Sequence, residues 1–591
     1  MEKIKLKKSK NKESKPRLRV KLNVSKFLLL DLGESYFIYG FILFILSFVV
    51  SGYRIYEKNQ DIQIPLVHLL NNPSLYPNDP FAATLLHYPS LLWQGVAIVA
   101  RVIPLEPLLF SLFLLERLLV IYTAGNLART LAGNSKLAIM GAIAIFSLAI
   151  SPLLGAGTIV ENYFEQTGFA IPFFLLAIAS FYKSRPINCA IWTAIGFNFN
   201  SMYGTYALTY FTAVFLLDST YRNVWKKWLV AFGLFLVLVS PTIFLTISAF
   251  GRNAPDNHLW LLASQVRFSY HLYPLTWKWY EFAKFVVVII ALGTLLYQNR
   301  QKMEKLFKHG AIWTGVSLLW LLYAFLAAYV FKSPSMLVMH PARGTDLWCC
   351  FAAIVVMSIC AINFEASTGR QRRIIWAIAF ICSILFWHSP LAPYPIIVVS
   401  LIVLISRPLR SYILSKNSIS RLTLLITVCV FLVGIVNFYT RLTATKSVTA
   451  ALFHRPPAAI EEIARWANTN TSLDKVFLVP PATLRWKYFR ALAKRPVFIT
   501  WKDASAILWE RSFVQDWAER MQAFGLDITQ DKPNQKKVYN KLKSLYRQLG
   551  DEDIKRLKSR YKIDYWVVPI EQPSTLAIAF QNPSFKVLKL N

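Results

Sequence analysis

The sequence predicts a mostly α-helical, polytopic membrane protein with about thirteen transmembrane helices and a small α/β domain at its C-terminal end. Of the 591 residues, 55% are hydrophobic and only 16% are charged. Soluble domains carry about 25% charged residues, so this chain lacks the polar surface of a soluble protein. The apolar residues lie in runs close to the ~20 residues that cross a bilayer, for example Tyr36–Gly52 and Trp228–Phe250.

The basic residues lie in short blocks between the apolar runs. Lysine and arginine total 65 against 31 acidic residues, which gives a net charge of +34. In a soluble protein this balance would suggest nucleic-acid binding, but blocks between apolar runs are typical of cytoplasmic loops, and we expect no nucleic-acid partner. All six cysteines fall inside apolar runs, so the sequence predicts neither a disulfide framework nor a cysteine metal site.

Placing every basic block on the cytoplasmic side determines the predicted topology. The basic N-terminal tail 1–35 is then cytoplasmic, and the transmembrane domain 36–440 has two large outer loops, 54–104 and 250–283. The last helix exits, so the soluble domain 455–591 is extracytoplasmic and the protein belongs in the plasma (inner) membrane. The predicted spans are 36–53, 105–123, 137–152, 169–182, 187–199, 204–217, 228–249, 284–298, 311–331, 346–363, 374–387, 395–406 and 422–438.

The C-terminal segment alternates helical and extended patterns, which favours a small α/β domain. It contains no glycine-rich nucleotide-binding motif, so we expect no nucleotide site. The predicted strands are Lys475–Val479, Arg495–Trp501, Ile563–Val568 and Phe585–Leu590. The predicted helices are Ala458–Asn468, 505–525, 535–548 and 551–560.

A helix start follows the first predicted span. In Asn78-Asp79-Pro80 the aspartate is placed to cap a helix and the proline to occupy its first position. The apolar segment Phe81–Trp93 that follows has few charges, and such a helix can lie flat in the membrane interface.

Four acidic residues on the predicted outer side are candidates for chemistry. Glu57 and Asp61 follow the first span, where they act either as a general base or metal ligand or simply balance the charge of nearby basic residues. Glu161 and Glu165 lie in a short loop without basic residues, and they form either a cation site or ordinary loop acidity.

Three further polar residues stand out on the same side. Asn200 interrupts an apolar stretch, so it lines a polar cavity or bonds to another helix. His271 lies among aromatic residues and either orients a substrate or shuttles a proton, or is an interfacial side chain. Arg343 holds a lipid phosphate bidentately, extends its charged group to the membrane surface as a snorkelling arginine, or pairs with Asp346.

This pattern resembles the GT-C superfamily, the glycosyltransferases that use polyprenyl-phosphate sugars. Those proteins have many helices, an acidic residue just after the first helix, an interfacial helix in the first outer loop, and often a final α/β domain. The chain is also similar to a group of bacterial membrane proteins of unknown activity. The matching stretches are Asn59–Pro65, Asn71–Phe81, Phe197–Tyr206, Val476–Pro481 and Arg495–Lys502.

The resemblance implies a transfer reaction at the outer face of the membrane. A polyprenyl-phosphate sugar donor enters from the lipid, and its phosphate is held by Arg343 together with His271 or Arg267. Glu57 or Asp61 then deprotonates a hydroxyl of an acceptor that the sequence does not identify. The acceptor oxygen attacks the sugar in one inverting displacement.

Under the same resemblance, Glu161 and Glu165 hold a divalent cation, Mg or Mn, that supports the leaving phosphate. We therefore expect the acids, Asn200, His271 and Arg343 to line one cleft that the C-terminal domain covers. Two other functions remain open at this point: a transporter or flippase, and a non-catalytic scaffold of the cell envelope.

Overall fold

The structure is a computed structural model that describes residues 34–148, 150, 153–155, 159–250, 257–387, 402–403, 405–414, 417–483, 485–530 and 534–590. Most of the predicted N-terminal tail 1–35 and most of the predicted span 395–406 lie outside these residues.

The described part of the chain is mostly helical. Its first helices are α1 (Glu34–Ser51), α2 (Gln60–Asn71), α3 (Pro80–Thr84), α4 (Leu91–Val99), α5 (Leu105–Ala132), α6 (Lys136–Ser147), α7 (Gln166–Tyr182), α8 (Pro186–Phe199), α9 (Ser201–Leu217), α10 (Ser219–Arg222), α11 (Trp225–Phe250) and α12 (Asn257–Leu272). They are followed by α13 (Trp279–Gln298), α14 (Glu304–Phe325), α15 (Pro334–Leu337), α16 (Thr345–Ala366), α17 (Arg370–Leu385), α18 (Arg407–Ile413) and α19 (Ser418–Thr445).

Six helical segments of the described chain are long and apolar enough to cross a membrane, so the prediction of a helical membrane protein is confirmed. They are Leu105–Ala132, Trp225–Ile247, Trp279–Gln298, Glu304–Val330, Pro334–Ala366 and Ser418–Thr445. Three shorter apolar helices accompany them: Ser35–Ser51, Lys136–Ser147 and Gln166–Tyr182.

The C-terminal residues form short helices around a small sheet. The helices are α20 (Val448–Leu452), α21 (Ala458–Asn470), α22 (Phe489–Ala493), α23 (Phe513–Ala523), α24 (Gln535–Gln548) and α25 (Asp551–Arg560). The strands of the whole described chain are β1 (Tyr53–Arg54), β2 (Phe453–His454), β3 (Phe477–Leu478), β4 (Tyr565–Pro569), β5 (Ile578–Gln581) and β6 (Phe585–Lys589). The sheet order is β3-β4-β6-β5, with β3 and β4 parallel and the other pairs antiparallel.

Two predictions about the C-terminal residues are wrong. The predicted strand Arg495–Trp501 forms only a single parallel bridge, from Val497 to Phe477. Pro496 has no N–H group, and the Val497 N–H donates to the Asp79 side chain over 2.9 Å instead of to a strand. The predicted helix 505–525 is divided into a 3₁₀-helix, Trp501–Leu508, and α23.

The predicted helix Phe81–Trp93 is also wrong as a single element. It is divided into α3, a 3₁₀-turn at Leu85–His87 and the start of α4. Pro89 explains the interruption, because the residue before a proline is driven out of the helical conformation. Phe81, Leu85 and Trp93 are buried inside the protein rather than presented to lipid.

The first loop and the C-terminal residues share one apolar core. It contains side chains from α2, α3 and α4, from α12 and from the segment 476–590. The C-terminal residues therefore do not form a separate globule. Strands β1 and β2 pair in parallel, which places the end of α1 beside the start of the C-terminal segment. A second core lies within the helical bundle.

A buried ion-pair triad fixes this shared core. The Arg490 guanidinium donates to both carboxylate oxygens of Asp79, over 2.6 and 3.3 Å, and to both of Asp503, over 3.1 and 2.9 Å. Asp79 also accepts the Ala82 N–H over 3.0 Å, which confirms the predicted helix cap. All three charged side chains are at most 3% exposed.

Candidate functional site

Two adjoining cavities lie where the first loop, α12, the segment before α16 and the C-terminal residues meet. The smaller one, the bundle cavity, has a volume of about 330 Å³. The larger one, the domain cavity, has a volume of about 590 Å³. The residues that line both cavities are Asn59, Glu165, Thr167, Arg267, Tyr270, His271, Arg343 and Lys502.

Six of the eight residues predicted from sequence as site residues lie at these cavities. Asn200 lines the bundle cavity and Glu161 the domain cavity. The four that line both are Glu165, Arg267, His271 and Arg343. The structure therefore brings together residues from four separate segments of the chain, whereas Glu57 and Asp61 line neither cavity.

Three tyrosines on one face of α9 hold the turn that precedes α16. Tyr203, Tyr206 and Tyr210 are spaced by three and four residues, which places them on the same side of a helix. Tyr203 donates to the Asp346 carboxylate. The hydroxyls of the other two donate to backbone carbonyls of the segment 339–344. Asn200 begins this helix by accepting the Tyr203 N–H over 3.3 Å, so the amide noticed in the sequence is a helix cap as well as a cavity residue.

Acidic side chains compensate the charges of the two cavity arginines only weakly. Arg343 lies 3.6 Å from Asp346, so the predicted pairing is present at a loose distance. Arg267 is only 5% exposed. It donates to the Tyr270 hydroxyl over 2.9 Å and stacks on Phe268, and it forms no ion pair with a described carboxylate. A buried guanidinium without an acidic partner is a strong site for an anion.

His271 lies beside these arginines as a neutral imidazole. Burial, and then the charges of Arg343 and other nearby cations, hold the pKa of His271 well below its usual range. Its ring is 4.2 Å from the Tyr270 ring and 6.0 Å from the His340 ring, measured between centroids. His271 can therefore donate or accept a hydrogen bond in the cavity without adding to its charge.

Lys502 joins the C-terminal residues to the first loop. Its ammonium group donates to the Asn59 side chain over 3.0 Å. Burial lowers the pKa of Lys502 to about 7, against the opposing effect of Asp61. Burial also raises the pKa of Asp61, and the cations that oppose this effect are Lys502, Lys487 and Arg267. All three line the domain cavity, so Asp61 lies close to the cavity wall even though it is not part of the lining.

Glu57 has a different environment. Its carboxylate accepts a hydrogen bond from Tyr488 over 3.1 Å and lies 3.7 Å from both Arg54 and His454. These contacts join β1, β2 and the C-terminal residues, so they favour a structural role for Glu57.

The acids predicted to bind metal are already engaged. Both carboxylate oxygens of Glu161 lie 2.7 Å from the Lys58 ammonium. Glu165 caps α7 by accepting the N–H groups of Thr167 and Gly168 over 2.6 and 3.4 Å. Within the described residues no group of three or more histidine, cysteine or acidic side chains is arranged to hold a metal ion. Because both carboxylates already have partners, the geometry does not favour the Mg or Mn site, which stays a prediction.

The bundle cavity also has an apolar part of its lining. Phe197, Met202, Ile243 and Ile247 belong to it. Ile247 is 66% exposed, so this apolar part reaches the surface of the protein. A molecule with a charged head and an apolar tail fits a cavity that combines basic and exposed apolar side chains.

Sequence reasoning missed the lysines of the domain cavity. Lys58, Lys487, Lys502 and Lys536 all line it, yet three of them come from the C-terminal segment, in which we predicted no nucleotide site and named no site residue. The sequence contained one weak indication of these lysines. Lys502 is the last residue of the stretch Arg495–Lys502, which is one of the stretches that carried the family resemblance.

Comparison with known proteins adds one match. The family model described as "Domain of unknown function (DUF6798)" matches residues 458–524. No curated protein matches the chain significantly. The matched residues include Lys487, Arg490 and Lys502, so the similarity covers the part of the C-terminal segment that meets the first loop and the cavities.

Proposed function

We propose that this protein is an integral membrane glycosyltransferase of the GT-C type. It transfers a sugar from a polyprenyl-phosphate donor on the outer face of the plasma membrane. The observation that carries the proposal is the pair of basic cavities, one of which is also lined by apolar side chains that reach the protein surface. A polyprenyl-phosphate sugar has the matching chemistry, because its tail is apolar and its phosphate anionic.

In the proposed orientation the N-terminus is cytoplasmic, and the cavities and the C-terminal residues are extracytoplasmic. The positive-inside rule supports this orientation, because the basic blocks between helices then all face the cytoplasm. The proposed number of spans stays at about thirteen.

In the proposed reaction Arg343 and Arg267 hold the donor phosphate, and His271 donates a hydrogen bond to it. Asp61 takes the proton from the acceptor hydroxyl. The acceptor oxygen bonds to the sugar C1 as the C1–oxygen bond to phosphate breaks, and the polyprenyl phosphate leaves with the electron pair. The arginines neutralise the added charge on that phosphate, as electrostatic catalysis requires.

Asp61 is the better candidate for the base than Glu57. Its pKa is raised by burial, and a carboxylate with a raised pKa accepts a proton more readily near neutral pH. Both Asp61 oxygens lack a hydrogen-bond partner among the described residues, whereas the Glu57 carboxylate is bonded to Tyr488.

The test is to delete the gene in its native host and complement it with variants while surface glycans are analysed by mass spectrometry. Asp61→Asn and Arg343→Gln should each abolish a glycan modification that Glu57→Gln and the remote Arg300→Gln preserve. All four proteins must reach the membrane at equal levels. If Asp61→Asn restores the glycan fully, Asp61 is not the base. If Arg343→Gln also does so, the proposed donor site is wrong.

A further inference from the structure

The domain cavity carries more positive charge than the proposed donor phosphate needs. Six basic side chains line it, namely Lys58, Lys487, Lys502, Lys536, Arg267 and Arg343. Among the described residues, the acidic side chains that line it are Glu161 and Glu165. Glu161 is matched by Lys58. Asp61 beside the cavity wall and Asp346 beside Arg343 are two further acids, and a sugar joined to lipid through one phosphodiester adds a single negative charge. The basic side chains still outnumber these negative charges.

The excess charge is on one side of the site. Arg267, Arg343 and Lys502 line both cavities, but Lys487 and Lys536 line the domain cavity alone. Neither of these two lysines forms an ion pair with a described carboxylate. A donor phosphate held by Arg343, as proposed, therefore does not pair with these two lysines, and the one longer-range effect described for Lys487 is on the buried Asp61.

Aromatic side chains pack in the wall of the domain cavity, and one of its lysines contacts a neighbouring aromatic ring. Lys487 lies over the Tyr488 ring at 4.8 Å from its centroid. Trp501 and Tyr539 also line the cavity and pack edge to face, with centroids 5.7 Å apart. The contact with Tyr488 restricts the position of the Lys487 ammonium group, and ammonium groups gathered in one cavity bind phosphate and carboxylate groups.

We propose that the domain cavity binds a second anionic group, a phosphate or similar oxyanion, separate from the lipid phosphate at Arg343 and held by Lys487, Lys536 and Lys502. This inference rests on the proposed function in placing the first anion at Arg343. The second anion belongs either to the acceptor or to a donor joined through a diphosphate. In both cases the substrates of this enzyme together carry at least two anionic groups.

The test measures anion binding rather than transfer. The full-length protein in nanodiscs is titrated with inorganic phosphate at pH 7 and constant ionic strength, and its melting temperature is followed by tryptophan fluorescence. The wild type should titrate in two phases. Lys487→Gln/Lys536→Gln should remove one phase, with at least a tenfold weaker apparent affinity, and Arg343→Gln should weaken the other.

The matched control is Arg485→Gln/Lys537→Gln, which removes the same charge from the same two segments. Neither of its residues lines the cavities, so its titration should follow the wild type within twofold. If the Lys487 and Lys536 variant behaves like this control, the second anion site is wrong while the site at Arg343 stands. If only Arg343→Gln has no effect, the proposed donor site fails and the second site stands.

Inorganic pyrophosphate separates the two sources of the second anion. If one ligand spans both sites, pyrophosphate saturates the protein in a single phase that Arg343→Gln and Lys487→Gln/Lys536→Gln both weaken. If the second anion belongs to the acceptor, pyrophosphate gives two phases, each weakened by only one of these variants. Both results support a second anion site, and the absence of any phase that depends on Lys487 and Lys536 overturns it.

Discussion

Removing the buried Arg490 should separate the C-terminal residues from the first loop. In Arg490→Met the side chain keeps its apolar stem and loses four hydrogen bonds to two carboxylates. Asp79 and Asp503 would then lie close together without a counter-charge. Breaking a buried ion pair in this way costs about 3–5 kcal/mol.

The hydrogen bonds that the two carboxylates keep place the expected cost near the lower end of this range. Asp79 would keep the N–H groups of Ala82 and Val497 as donors. Asp503 would keep the Thr500 N–H and hydroxyl, each at 2.8 Å. We therefore expect the free energy needed to separate the C-terminal residues from the first loop to fall by about 3 kcal/mol. This is a factor of roughly 150 in the equilibrium constant of that local opening.

Hydrogen exchange at the Val497 and Ala82 amides measures this opening directly, because Asp79 accepts both. Their exchange in Arg490→Met should be roughly 150-fold faster than in the wild type, on the same scale of 1.4 kcal/mol per tenfold. The exposed Arg560→Met serves as the control and should exchange like the wild type.

A second variant separates lost charge pairing from lost packing. Removing the two carboxylate charges as well, with Asp79→Asn and Asp503→Asn, should recover at least half of the loss, because no unpaired charge stays buried. If exchange in Arg490→Met is less than tenfold faster than in the control, the triad does not fasten the two parts. If the triple variant is no more stable than Arg490→Met, the assignment to electrostatics is refuted.

Two further predictions concern the cavity and the helical core. Since burial lowers the pKa of Lys502 to about 7, it gains a proton as the pH falls through 7. Sulfate, whose charge is constant in this range, should therefore bind about sevenfold more tightly at pH 6 than at pH 8, because a unit charge within about 8 Å contributes about 2 kcal/mol at an effective dielectric constant of 20 and a group with a pKa of about 7 loses most of its charge between these two pH values. Lys502→Gln should remove most of this dependence, and an unchanged pH profile in that variant would exclude Lys502 as the cause. In α7, a β-carbon on Gly168 would lie 2.0 Å from a carboxylate oxygen of the buried Glu116. Gly168→Ala should destabilise the protein by about 1–3 kcal/mol and lower its melting temperature, whereas Gly95→Ala, which has open space around it, should not. Equal melting temperatures for the two variants would contradict the close packing at Gly168.

Local patterns in the sequence determined the class of this protein. Apolar runs and their length predict membrane helices because each helix closes its hydrogen bonds within its own segment. The cap at Asp79 was predictable for the same reason, since its acceptor and donor lie three residues apart. Asn200 was recognisable as unusual because a polar amide in an apolar stretch must find a partner.

The tertiary structure alone decided which charged groups share an environment. Arg490 finds Asp79 across 411 residues, and Lys502 finds Asn59 across 443. No local period links such positions, since their pairing follows from the free energy of burying charge once the first loop and the C-terminal segment pack on one core. The same packing placed Glu57 against Tyr488, left Asp61 buried beside the cavity wall and surrounded the cavities with lysines. The sequence could therefore indicate a helical membrane protein with reactive groups near one end, but only the folded chain selects the residues that meet there.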